Sequence, residues 1–99
     1  MRLSPHDQAA IVRATAEVAG GDARVWLFGS RTRDDLRGGD IDLLVELPHR
    51  CEAPVRLAGQ ISARIERAIG LRKIDILIAD PASVETPVLA AARRSAVAL

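Results

Sequence analysis

Ile11, Ala14, Thr15 and Val18 recur at helical spacing near the start of the chain. Ser4-Pro5 ahead of them reads as an N-cap followed by proline at the first helical position, and Gly20-Gly21 as the stop. The rhythm then changes. Arg24-Val25-Trp26-Leu27-Phe28 is a short strand by its β-branched and aromatic content. Gly29 to Gly39 is a polar loop with room for one helical turn after Ser30, and Asp40 to Leu47 is a second strand ended by Pro48. Ala53-Pro54 opens a second helix whose apolar stripe is Val55, Leu57, Ala58, Ile61, Ile65, Ala68 and Ile69, with Gly70 as its stop. Lys73 to Ile78 is a third strand, so continuous in isoleucine and leucine that it predicts a central position covered on both faces. Asp80-Pro81 turns the chain. Thr86-Pro87 repeats the cap-plus-proline start and leads an alanine-rich helix through Arg93-Arg94. Val97-Ala98-Leu99 reads as either a frayed end or a short edge strand.

The order helix, strand, loop, strand, helix, strand, helix predicts an α/β (α+β) layer, with the helices packed mainly on one face of a small sheet. A polar loop, not a crossover helix, joins the first two strands, so they are expected to be antiparallel neighbours in a mixed sheet. Ninety-nine residues suit a single domain, residues 1–99.

Composition narrows the function classes. Net charge is +1, so no general electrostatic case exists for direct nucleic-acid binding, and one Trp, one Phe and no Tyr offer few stacking platforms. No apolar run approaches a membrane span, and the first residues lack a signal-peptide core, so a cytoplasmic location is expected. The lone Cys51 agrees with a reducing compartment and has no neighbouring Cys-His motif. His6 and His49 are isolated and read as surface residues. Thirteen of the 14 basic residues are arginine, which supplies planar forks suited to phosphate.

The chemistry-bearing residues gather around the first loop. Asp40 and Asp42 lie at i and i+2 on a strand and so share a face, roughly 6–7 Å apart along it. Carboxylates at that spacing suit a hard divalent cation such as Mg²⁺ or Mn²⁺. Asp75, inside the third strand, joins them if that strand lies beside the second. Three carboxylates without compensating charge repel, and two cations would resolve the repulsion and clamp both oxygens of a phosphoryl displacement. The plainer alternative is structural: Asp40 caps its strand, Asp42 pairs with a loop arginine, and Asp75 pairs with Lys73 or Arg72. Gly29-Ser30 ends the first strand with a residue that lets backbone approach a phosphate and a hydroxyl that adds a donor. Glu46 shares the aspartates' face as a fourth acidic candidate. Trp26 and Phe28 share one face of their strand and read as core, not as a base platform.

"LFGSR", "GGDIDLLVE" and "KIDILIAD" resemble, in that order, the minimal nucleotidyltransferase domain of the DNA polymerase β superfamily, in its stand-alone MNT group. The resemblance spans residues 24 to 80 and implies the polymerase β-like nucleotidyltransferase fold. By position it makes Gly29 and Ser30 the holders of the triphosphate, Asp40 and Asp42 the metal ligands, and Asp75 the third carboxylate, aligning the attacking hydroxyl or acting as its base. Arg31 and Arg33 match arginines that follow the Gly-Ser turn in the family. The loop from Ser30 to Asp40 is one residue shorter than the family's usual spacing, and Gly38-Gly39 can absorb the shorter path. The implied activity is transfer of a nucleoside monophosphate, AMP from ATP, to a hydroxyl with Mg²⁺ or Mn²⁺. MNT proteins pair with HEPN-domain RNase toxins, and some adenylylate a toxin tyrosine, so the resemblance implies an antitoxin whose acceptor is a partner protein. A contact-only binding module and a small-molecule nucleotidyltransferase are the alternatives, and homo-oligomerisation stays open.

Overall fold

The computed structural model describes residues 3–29 and 40–99. Helix α1 (Pro5–Ala19) starts where the Ser4 hydroxyl accepts the Asp7 N–H at 3.0 Å, and it ends at Gly20. Strand β1 (Arg24–Phe28) and strand β2 (Asp40–Glu46) pair antiparallel, as expected. Helix α2 (Pro54–Ile69) leads to strand β3 (Lys73–Ala79), which runs parallel to β2 and makes the sheet mixed. Helix α3 (Pro87–Ser95) is capped by the Thr86 hydroxyl, which accepts the Leu89 N–H. Strand β4 (Val97–Ala98) then pairs antiparallel with β1, giving the order β3-β2-β1-β4 and settling the chain end as a short edge strand.

Strand alternation divides the sheet into two faces. Ile41, Leu43 and Val45 of β2 are fully buried and join Val25, Leu27, Ile11, Ile61 and Ile65 in the main core under α1 and α2. The opposite face carries Leu44, Ala79, Trp26, Phe28 and Leu77, covered by Leu89 of α3. Two helices thus share one face and the third lies across the other. Trp26 and Phe28 are packed in that second cluster, in agreement with the core reading.

Two expectations need correction. The interior strands are β2 and β1; β3 lies at an outer position of the sheet. A continuous apolar run reports cover on both faces, and β3 has some of each. Ile74, Ile76 and Ile78 pack against the main core, while Leu77 and Ala79 meet the α3 cluster. It says nothing about neighbours at both edges. The α2 stripe is also narrower than its apolar residues suggest. Leu57, Ile61, Ile65 and Ile69 meet the core, whereas Val55 is 86% exposed. At ~100° per residue Val55 lies about 100° from the centre of that row. Ala68 is exposed in a groove between α1 and α2 that Ala9, Ala10, Arg13, Glu17, Arg64 and Arg67 also line.

Polar contacts hold the segments at the sheet's ends. Arg72, just before β3, bonds Asp7 of α1 at 3.2 Å. The Asp80 carboxylate accepts the Cys51 N–H at 2.6 Å and the Ala82 N–H at 2.8 Å, closing the turn after β3. Those donors, Cys51 first, hold the Asp80 carboxyl below the ordinary carboxylate range. His6 bonds Asp7, and His49 bonds the Arg50 carbonyl, both at the exposed surface.

The two sides of α2 predict opposite outcomes. Ile65→Ala empties a fully buried site and should cost about 2–5 kcal/mol in chemical denaturation. Val55→Ala should stay within about 0.5 kcal/mol of the parent.

Candidate active site

Asp40 and Asp42 point away from the main core because Ile41 and Leu43, between and beyond them, point into it. Each aspartate then meets what the register brings. The parallel pairing sets Asp42 directly opposite Asp75 and Asp40 directly opposite Lys73. On the other side of β2, Asp42 lies opposite Phe28, the last residue of β1. All three predicted carboxylates therefore share the α3 face at the same end of β2 and β3.

Gly29 sits against this group with φ +77, a conformation that favours glycine. A Cβ at Gly29 would stand 2.6 Å from Asp42 Oδ2, so a side chain there would force the Asp42 carboxylate to shift. The Gly29 N–H donates to the Ser95 hydroxyl at 3.3 Å, tying the end of β1 to the end of α3. Ser30, Arg31 and Arg33 lie outside the described residues, as does the helical turn expected after Ser30.

Charge in the site is unbalanced. The Asp42 carboxyl is pushed above its ordinary value by burial first, then by Asp75 and Asp40, with Lys73 opposing. The Lys73 ammonium stands 3.6 Å from Asp40 Oδ2. The structural alternative for Asp75 is therefore not realised, since Lys73 reaches Asp40 and Arg72 reaches Asp7. Among the described residues no three His, Cys, Asp or Glu side chains converge closely enough to hold a metal ion. Like charge on Asp42 and Asp75, and the pull of Lys73 on Asp40, both act against such convergence. The donor set still fits a hard divalent cation, being all carboxylate oxygen with a raised, repelling member at its centre.

Glu46 does not join the site. Its carboxylate takes Arg93 at 2.6 Å, and Arg93 also reaches Glu85 at 3.3 Å, so this pair braces α3 on the sheet. Arg93 thus ties the last turn of α3 to β2. Sequence reasoning missed two neighbours of the site. Ser95 is 66 residues from Gly29 in sequence, and no local pattern joins them. Lys73 was legible as a neighbour of Asp75 along its own strand; its reach to Asp40 needed the register.

A family model described as nucleotidyltransferase domain matches residues 10–92, which contain Asp40, Asp42 and Asp75. The chain belongs to the nucleotidyltransferase domain family. Its small mixed sheet and the three helices among the described residues agree with that fold, and its activity class is nucleotidyl transfer. No curated protein gives a significant sequence match. Among the described residues no helix is long and apolar enough to cross a membrane.

The raised Asp42 carboxyl fixes the sign of a pH effect. Its protonated form is favoured in the folded state, so it contributes stability below its unfolded value near 3.8 and loses it as pH rises through the higher folded value. Asp42→Asn should therefore be more stable than the parent at pH 7, with the difference shrinking as pH falls below that window. Urea melts of both proteins across the acid range measure it. Gly29→Ala, by contrast, should lose more than about 1 kcal/mol at neutral pH, since its Cβ meets Asp42 and its φ is strained.

Proposed function

We propose that this nucleotidyltransferase moves AMP from ATP onto a hydroxyl of a partner protein, with Mg²⁺ or Mn²⁺ as its cation. The observation that carries the reading is the parallel register of Asp42 and Asp75 beside Gly29. Carboxylates forced together at the end of a glycine turn are costly without a cation, and they are the ligands a phosphoryl-transfer site requires. Asp40 and Asp42 would hold the cation, with Asp75 beside them. The cation supplies charge neutralisation on the triphosphate when bound. Asp75 accepts or aligns the acceptor's hydroxyl proton, and the hydroxyl oxygen attacks the α-phosphorus. The bond from that phosphorus to the β-phosphate's bridging oxygen breaks, and pyrophosphate leaves. Gly29 gives the triphosphate close backbone approach, and Ser30, Arg31 and Arg33 are its proposed donors.

The acceptor is proposed to be a HEPN-domain toxin, with this chain as its antitoxin in the cytoplasm. Resemblance to the MNT group supports that choice.

Incubating purified partner with labelled ATP and Mg²⁺ tests the reading. Cation clamps supply several kcal/mol of transition-state stabilisation, and each ~1.4 kcal/mol is tenfold in rate. Asp42→Asn and Asp75→Asn should each reduce label transfer at least about a hundredfold while remaining folded by circular dichroism. Full rescue of toxin-expressing cells by a folded Asp42→Asn variant would instead establish neutralisation by contact.

A further inference from the structure

Lys73 is the sole lysine of the chain, among thirteen arginines. Cross-strand register sets it opposite Asp40, and its ammonium lies 3.6 Å from that carboxylate. It also offsets part of the repulsion felt by Asp42. Its side chain remains 68% exposed, so the flexible stem is not locked in place by packing.

We propose that Lys73 is a resident counter-cation that competes with a lone divalent ion for Asp40, so that the ion loads together with the triphosphate. The inference rests on the cation site proposed above. An ammonium beside a ligand oxygen repels an incoming divalent ion and already satisfies part of the charge that would attract it. A polyanionic triphosphate gives the ammonium a second partner and removes that competition. Ion and triphosphate then bind with positive coupling, and the coupling is reciprocal: each raises the other's affinity by the same factor. A lysine suits this exchange better than an arginine, because a compact point charge on a mobile stem has no bidentate geometry to surrender.

Titration calorimetry of Mn²⁺ tests it, with and without a non-hydrolysable ATP analogue, on the parent, Lys73→Gln, Lys73→Arg and Asp42→Asn. Lys73→Gln should bind Mn²⁺ alone about tenfold more tightly than the parent, a figure that allows for an exposed and partly screened charge. The analogue should raise Mn²⁺ affinity in the parent by a clearly larger factor than in Lys73→Gln. Lys73→Arg, which keeps the charge, should stay near the parent for Mn²⁺ alone. Equal or weaker Mn²⁺ binding by a folded Lys73→Gln, with binding lost in Asp42→Asn, would overturn the role of Lys73 and leave the carboxylate site standing. Absence of Mn²⁺ binding in both the parent and Lys73→Gln, with the analogue present, would overturn both.

Discussion

Asp42 and Asp75 face each other across a parallel strand pair, and the features of the site follow from that enforced repulsion. The fold does not offer them an easy escape. Ile41 and Leu43 flank Asp42 with no exposure at all, so rotating β2 to release the carboxylate would put two large apolar side chains into water. A slip of one residue between β2 and β3 would exchange the faces of every side chain on the slipped strand. Hydrophobic burial therefore holds the two carboxylates together, and the Asp42 carboxyl is raised by its own burial first and by the charges of Asp75 and Asp40 after it. Structural carboxylates are treated differently in the same chain. Asp80 collects backbone donors, and Glu46 collects Arg93.

Around this pair the scaffold divides its labour. Helices α1 and α2 bury one face of the sheet and supply most of the core, leaving the other face to α3 and the site. Ser95 joins the two, since the last residue of α3 accepts the N–H of Gly29 at the end of β1. The glycine is favoured by its own φ of +77, and Asp42 Oδ2 stands close to where a Cβ would go. The turn proposed to approach phosphate and the carboxylate proposed to attract a cation are thus neighbours in space.

Much of this was legible in the sequence because local rules governed it. Ser4-Pro5 and Thr86-Pro87 start helices as their capping chemistry requires, and β1 has the bounds that its residues suggest. The shared face of Asp40 and Asp42 follows from the two-residue period of a strand. The position of β3 did not follow, since face cover and edge neighbours leave the same apolar run. Lys73 with Asp40 and Ser95 with Gly29 are products of register and of helix packing, and neither leaves a trace in local spacing. Val55 shows the limit of composition: an apolar residue near a helix start is counted into the stripe until the helix is rotated onto its sheet.

The central claim is that Asp42 and Asp75 form one electrostatic unit. The carboxyl carbon of Asp42, followed by ¹³C NMR through an acid titration in the parent and in Asp75→Asn, measures it directly. The account predicts that Asp42 titrates above an ordinary aspartate in the parent and moves back toward the ordinary value when Asp75 loses its charge. An Asp42 titration unmoved by that substitution, in a protein with the parent's spectrum elsewhere, would contradict it.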